Sequence, residues 1–486
     1  MNEAIRELQP KEVWNKFADL NAVPRPSKKE ERVIEFMLNF GKSLNLETFK
    51  DHVGNVIIRK PASKGMEDRI TVTLQSHLDM VHQKNNDTVF DFENQGIEMF
   101  IQEDWVKAKG TTLGADNGMG VAAIMALLQS SEITHPAIEA LFTIDEETGM
   151  TGAMGLEGGV LKGDILLNLD TEEDDELDIG CAGGIDVTAT RSYNEKTVPR
   201  ATTAYSITVN GLKGGHSGIE IHKGLGNANK IMNRILYTVS NSFMLRISEI
   251  DGGSLRNAIP RESIGKIVIL KTQSEAFENT IKELTQTIQK ELNVIEPNLK
   301  VTLDAIKLPK AVMGLGAQER LLQGIYAAHN GVYAMSAAIP DLVETSNNVA
   351  RVLVKNGKAK VGCLTRSSVD SAKTDLSNAL KSTFELARFD VEFSGTYPGW
   401  TPNANSKILK VAEEKYIALF GEKPKVAACH AGLECGILGQ NYPEMDMISF
   451  GPTILGAHSP DERVSISSVQ KFWKFLLNIL EDIPKK

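Results

Sequence analysis

Seven residues stand where apolar runs of the chain give way to polar loops: His77, Asp79, Asp116, Glu146, Glu147, Asp170 and His458. His77 and Asp79 lie two apart in SHLDMV, so on a strand they project from one face. A metal-binding imidazole needs a neighbouring acceptor to fix its tautomer, and a carboxylate can supply it. Alone, H-x-D describes a histidine hydrogen-bonded at a sheet edge equally well. Asp116 lies in GTTLGADNGMG, ahead of a helical run. Asp-Asn-Gly is a turn and Asp a good N-cap, although a carboxylate there can also bridge two cations. The glycines spell neither phosphate-binding motif. Glu146 and Glu147 follow ALFTID. Adjacent residues on a strand point opposite ways, so both serve one site only if the chain turns, which Gly149 permits. Two carboxylates at one point repel unless a cation or a proton relieves them; solvated loop glutamates are the plain alternative. Asp170 ends the apolar run DILLNLD, and His458 sits in the loop FGPTILGAHSPDE.

The set is more specific than any member. Two histidines with several carboxylates make a donor inventory suited to zinc or manganese, with enough ligands for two ions. The four cysteines, Cys181, Cys363, Cys429 and Cys435, are too few and too irregular for a thiolate zinc site or a disulfide framework.

These residues need a scaffold that brings strand ends together. Helical spacing covers Lys11–Leu20 and resumes after Pro26-Ser27, with Ser27 as its cap. Strand-like runs at Asn55–Arg59, Ile70–Leu78, Ala137–Asp145 and Asp164–Asp170 alternate with the helical stretch Gly118–Leu128. Buried strands alternating with helices predict an α/β layer with a mostly parallel sheet flanked by helices. Open sheets of this kind place their sites at strand ends. Near residue 190 the texture changes to alternating strands, such as Thr202–Asn210, and amphipathic helices, such as Ser274–Leu292. Asn356-Gly357 marks a hairpin. The expected organisation is a discontinuous catalytic domain, residues 1–187 and 390–486, interrupted by an inserted α+β domain over 188–389. The acidic run EEDDE, Glu172–Glu176, reads as a solvated loop.

Composition removes several classes. Lys+Arg number 53 against 63 Asp+Glu, a net charge of −10, which argues against nucleic acid as the partner. No apolar run approaches the roughly 20 residues that span a bilayer, so no membrane partner is expected. The opening MNEAIRELQPKEVWNKF is charged throughout and carries no apolar signal segment, so a cytoplasmic location is expected.

With its motifs assembled, the chain resembles the co-catalytic di-metal peptidases that include aminoacylase, carboxypeptidase G and the carnosinases. The likeness runs in order through SHLDMV, GTTLGADNGMG, DEETGM, LNLDTEE, GCAGGID, KGGHSG, GGSLRNAIPRE, YPGW, HAGLECG and GPTILGAHSPDE. It implies two divalent ions, zinc foremost with cobalt or manganese as substitutes. His77 and Asp170 are then ligands of one ion, Glu147 and His458 of the other, and Asp116 bridges them. Asp79 orients His77, and Glu146 is the general base for a metal-bridged water. His216, in GGHSG of the inserted domain, stabilises the oxyanion, while Asn257 and Arg366 hold substrate. Asp170 is an aspartate, as in the aminopeptidase and dipeptidase branches. The resemblance therefore implies a dipeptidase for unblocked dipeptides, Xaa-His favoured, with a broader aminopeptidase, tripeptidase or N-acyl amino acid deacylase as the alternative. It also implies that the inserted domain is a lid and that the chain is a homodimer. Ser217 follows His216, but adjacency does not make a nucleophile–base pair. Glu434 is a further candidate, for a substrate amine.

Overall fold

The computed structural model describes residues 2–337 and 339–486. The chain forms two compact units, one of Met1–Gly180, Trp400–Ala428 and Leu433–Lys486, the other of Cys181–Gly399 and Cys429–Gly432. Breaks at 187/188 and 389/390 would cut the strand Gly183–Ser192 and detach its antiparallel partner Asp390–Tyr397. Ladder hydrogen bonds keep a strand with its sheet, so the units divide at 180/181 and 399/400 instead.

In the first unit an eight-stranded sheet runs in the order Glu47–Lys50, Val56–Lys60, Ile138–Thr143, Val72–His77, Ile165–Asn168, Asp446–Ser449, Glu176–Cys181, Lys425–Cys429. Its four central strands, Ile138–Thr143 to Asp446–Ser449, are parallel. Antiparallel pairings flank them. Ile138–Thr143, Val72–His77 and Ile165–Asn168 are buried at every position, as strands covered on both faces must be. The helix Ala115–Gln129 packs on Val72–His77, and Lys407–Phe420 packs on Asp446–Ser449. From Met119 to Leu128 every residue of the former helix is buried, which explains why its sequence is apolar all round. Ser27 caps no helix. The helix begins at Glu31, with Glu30 at the N-cap, and the Ser27 hydroxyl donates to Asp79 Oδ2 at 2.7 Å.

The second unit is built on a nine-stranded sheet that includes Thr202–Asn210, Ser263–Leu270, Val343–Lys355 and Lys358–Ser367. Helices Ala228–Ser240, Ser274–Leu292, Leu315–Ala327 and Asp370–Leu386 contribute to its core, with Ile235, Phe277, Ile325 and Phe384 buried among strand residues such as Ile207 and Val361. Asn356 and Gly357 turn the long hairpin with φ of 51° and 71°, the left-handed pair a type I′ turn requires. No helix among the described residues is long and apolar enough to cross a membrane.

Candidate metal centre

Parallel strands end on one side of a sheet, and the first unit uses that edge. His77 ends its strand, Asp170 follows Asn168 by two residues, and Glu146 follows Thr143 by three. His77 Nε2 lies 3.2 Å from Asp116 Oδ1 and 3.5 Å from Asp170 Oδ1. His458 Nε2 lies 3.1 Å from Asp116 Oδ2 and 2.9 Å from Glu147 Oε2. Two donor groups result, His77–Asp116–Asp170 and Asp116–Glu147–His458, sharing Asp116 through different oxygens. Donors bonded at roughly 2.0–2.1 Å to a tetrahedral ion stand about 3.3 Å apart, so these spacings suit a cation in each group. Glu147 Oε1 is buried without a hydrogen-bond partner, a costly state unless a cation takes it up.

Local backbone decides which side chains arrive. The turn after Ile138–Thr143 occurs at Asp145, with φ 55°, rather than at Gly149, which lies within the short helix Glu146–Gly149. Consecutive helical residues diverge by about 100° rather than 180°, so Glu146 and Glu147 can address one site. Asp116 does not cap the helix Ala115–Gln129; Gly114 holds the cap position, and Asp116 and Asn117 have non-helical dihedrals. Gly114 is left-handed, φ 71°, and a Cβ there would press on the Arg25 guanidinium and Met80. His458 is also left-handed, φ 64°, a conformation that side chains other than glycine adopt at a cost.

Three supporting residues carried no signal in the sequence. Glu462, four residues past His458, accepts the backbone N–H groups of Leu113, Gly114, Ala115 and Asp116 at 2.7, 2.9, 2.7 and 3.2 Å. Arg25, fully buried, donates to the carbonyls of Leu78 and Asp79 at 3.0 and 3.2 Å and also to that of Gly114. Asn117 donates to Leu169 O at 2.7 Å and to the Asp170 carboxylate. A hydrogen bond to a charged group contributes about 1.5–3 kcal/mol, so four on one carboxylate offset part of the cost of burying it, although burial still pushes Glu462 up to about 7. Glu462→Ala is expected to lower Tm and to weaken metal binding, because the Asp116 loop loses its anchor. Unaltered Tm and metal stoichiometry would exclude this role.

Asp79 serves two neighbours. Its Oδ1 lies 3.4 Å from His77 Nδ1, whose shorter contact, 3.1 Å, is to the Asp79 carbonyl. Its carboxylate also accepts the amides of Glu146 and Glu147 at 3.0 and 3.3 Å. A further acidic group, Glu30–Asp79–Asp145, is no cation site: Lys28 pairs with Asp145, Ser27 with Asp79, and Glu30 accepts the Lys28 amide.

Negative charge is in surplus at this edge. Hydrogen bonds to Asp116 and Glu147 push His458 up to about 11. Burial would lower His77, but Asp170, Asp116 and Asp79 outweigh it and hold the imidazole well above its ordinary value. Burial raises Glu146 well above the usual carboxylate range, assisted by Asp170, Glu147 and Glu434 and opposed by His77. Glu172 is half-buried rather than solvated as expected; burial, with Asp116 and Asp170, pushes it up to about 9, against the pull of His458. Divalent cations are what such a donor set accommodates.

The remaining candidates belong to the second unit. His216 lies on a two-residue strand opposite Ala258, and the Ser217 amide donates to the Asn257 carbonyl at 2.7 Å, so Asn257, in the turn just before Ala258, neighbours His216. Asn257 is exposed, while Arg366 is buried and donates to the Tyr397 hydroxyl at 2.8 Å. Burial and the charges of Arg366, His216 and His222 push His430 down to about 3, and the ring meets the Ser346 hydroxyl at 2.8 Å. Glu434, of the first unit, is wholly buried; its Oε2 accepts from Gln75 and Thr143, both at 2.6 Å, and its Oε1 has no hydrogen-bond partner.

Two cation positions sharing a carboxylate, with one more glutamate beside them at the carboxyl edge of a parallel sheet, define a hydrolase that works with paired divalent ions. The comparisons agree: the chain belongs to peptidase family M20/M25/M40, whose model matches residues 73–482. It is 43% identical over 482 residues to the cytosol non-specific dipeptidase of Escherichia coli strain K12, covering 99% of each chain. The crystal structure of aminoacylhistidine dipeptidase from Vibrio alginolyticus superposes with a TM-score of 0.92 at 44% identity, covering 100% of both chains. Aminopeptidase PepT from Bacillus cereus, at 16% identity and a TM-score of 0.57, covering 98% of this chain and 99% of its own, shares the fold.

Proposed function

We propose that this protein is a metal-dependent dipeptidase that hydrolyses unblocked dipeptides, with Xaa-His substrates preferred. The observation that carries the reading is the pair of donor groups joined at Asp116. His77 and Asp170 hold one cation, Glu147 and His458 the other, and Asp116 spans both. Zinc fits these ligands best, with cobalt or manganese as substitutes. The bound cations supply Lewis-acid polarisation of the scissile carbonyl and a lowered pKa for water. Glu146 takes the proton from the attacking water and returns it to the leaving amine. Asp79 keeps the His77 ring and the Glu146–Glu147 turn in place. His216 donates to the carbonyl oxygen as charge develops there. Two backbone amides, of Gly218 and Ile219, point at its Nδ1 at 3.2 and 3.1 Å, which leaves the proton on Nε2 as the donor. Asn257 and Arg366 hold the substrate, Arg366 through its terminal carboxylate.

The second unit acts as a lid and dimerisation domain, and the working form is a homodimer. The cytosolic location follows the name of the Escherichia coli relative. Relatives of nearly equal identity are described as non-specific and as aminoacylhistidine dipeptidases, so substrate breadth needs direct measurement. Steady-state rates on Ala-His, a dipeptide without histidine, a tripeptide and an N-acetyl amino acid test the proposal. Ala-His is expected to lead, with the last two poor. A leading tripeptide or acylated substrate would overturn the dipeptidase reading, and equal rates on the two dipeptides would remove the histidine preference alone. Chelation is expected to abolish turnover, and zinc, cobalt or manganese to restore it. Full activity in a preparation shown to be metal-free rules out the metal mechanism.

A further inference from the structure

A row of polar side chains crosses the catalytic sheet behind the ligands. Gln75 is the register partner of Asn168, Asn168 of Ser449, and Ser449 of Asp178, so the four occupy one line across four adjacent strands. All are buried, with exposures of 0% for Gln75, Asn168 and Ser449 and 5% for Asp178. Thr171 joins the row at one end and Glu434, fully buried, closes it at the other. The links are continuous. Gln75 Nε2 donates to Glu434 Oε2 at 2.6 Å, Asn168 Nδ2 to Gln75 Oε1, and Ser449 Oγ to Asn168 Oδ1. Ser449 Oγ meets Thr171 Oγ1 at 2.8 Å, and Thr171 Oγ1 meets Asp178 Oδ2 at 3.0 Å.

The protons in this row can be counted. Between Glu434 and Asp178 there are five links. The four residues between the acids supply one proton each along the row, because an amide turns its nitrogen to one neighbour and its oxygen to the other, and a hydroxyl has one hydrogen. Flipping both amides reverses the direction of donation and leaves the count unchanged. With both acids ionised, one buried oxygen pair has no hydrogen between its members, an unmade bond that burial makes costly. A single additional proton on either acid completes every link.

We propose that Glu434 and Asp178 share one proton through this row, so that a neutral carboxyl is a permanent part of the sheet that presents the metal ligands. As the amides stand, donation runs toward Glu434 and the proton resides on Asp178. Glu434 then accepts from both Gln75 and Thr143 as a carboxylate, both bonds falling on Oε2 while its Oε1 stays buried without a partner. Burial favours a neutral form at both ends. It pushes Asp178 up to about 7, with Glu176 adding to it and Thr171 and Lys425 opposing. It pushes Glu434 up to about 8, with Asp170 and Asp79 adding and Thr143 and His77 opposing. The row is a positioning device. Gln75 lies two residues before His77, Thr143 three before Glu146, Asn168 two before Asp170, and Thr171 directly after it. Cross-linking these strand ends fixes the spacing of side chains that must converge on two cations.

The test reads protons, so it stands apart from the assignment of substrate. In metal-loaded protein, the infrared difference between wild type and Asp178→Asn/Glu434→Gln is expected to show the loss of one protonated-carboxyl C=O band and one carboxylate band. Loss of two protonated bands means two independent neutral acids, and loss of none means two carboxylates; either overturns the proposal. Should the double variant fail to fold, carboxyl ¹³C shifts of wild type labelled at Asp and Glu read the same count. The positioning role is tested separately with Ser449→Ala, which cuts the row at its middle, and Ser449→Thr, which keeps the hydroxyl. Ser449→Ala is expected to weaken metal binding, because the strand ends before His77 and Asp170 lose a cross-link, and Ser449→Thr to restore it. Equal metal affinity in Ser449→Ala and wild type would remove the positioning role.

Discussion

Glu146→Gln is expected to lower kcat on a dipeptide by roughly 10²–10⁴, the range for loss of a general base, while two cations stay bound. The substitution keeps size and shape but removes the proton acceptor. Glu146 lies outside both donor groups that share Asp116, although it neighbours His77 and Glu147. Its backbone amide is held by Asp79, so the turn survives the change. Glu147→Gln is expected to behave differently. Its Oε2 contacts His458 at 2.9 Å and its Oε1 is buried without a partner, so a neutral amide there costs one cation. Metal analysis beside single-turnover kinetics separates the two variants. If Glu146→Gln loses metal and Glu147→Gln retains it, the roles within the pair are exchanged.

His216→Ala is expected to lower kcat by roughly 10²–10³, with KM little changed and both cations retained. One donor to a developing oxyanion contributes about 3–4 kcal/mol, and that charge exists only in the transition state, which is why KM stays. None of the proposed cation ligands lies between Asp170 and His458, so under this proposal the second unit binds no metal. The proposed role leaves two routes for His216, closure within its own chain or donation from the other subunit if the chain is a dimer. Mixing His216→Ala with Glu146→Gln subunits distinguishes these routes. Recovered activity means donation from the other subunit, and no recovery despite proven heterodimers means donation within one chain. Unchanged kcat in His216→Ala removes the residue from the mechanism.

The legible part of the site was the part made of repeated signals. Buried runs ending in an acid or a histidine recur at His77, Glu146, Glu147 and Asp170, and the three strands so marked lie parallel in the sheet's centre. Helices over Lys11–Asn21, Ser274–Leu292 and Ile466–Glu481 follow apolar spacing closely. Expectations resting on one residue's local preference failed. Ser27 was read as a cap and bonds Asp79 instead. Asp116 has cap chemistry but is withheld from the helix and aimed at His77 and His458. Gly149 was read as the turn that Asp145 makes. Glu172 looked solvated within an acidic run and lies half-buried. In each case tertiary contacts outbid a local preference of about 1 kcal/mol.

By itself the sequence determined the donor types, the order of the elements that carry them and the family they resemble. Those properties are local or periodic: an apolar run specifies a buried strand, and its last residue specifies what stands at the edge. The resemblance already implied which donors pair, but no local property of the chain does, because His77 and Asp170 are 93 residues apart and His458 is 342 residues from Asp116; the tertiary structure is what brings them within reach of one another. It also decided what holds them. Glu462 folds back onto four amides of the Asp116 loop, and the row from Glu434 to Asp178 crosses four strands with no spacing in common. Such groups are brought together by sheet register, and register is set by the burial and pairing of whole strands rather than by any residue in the row.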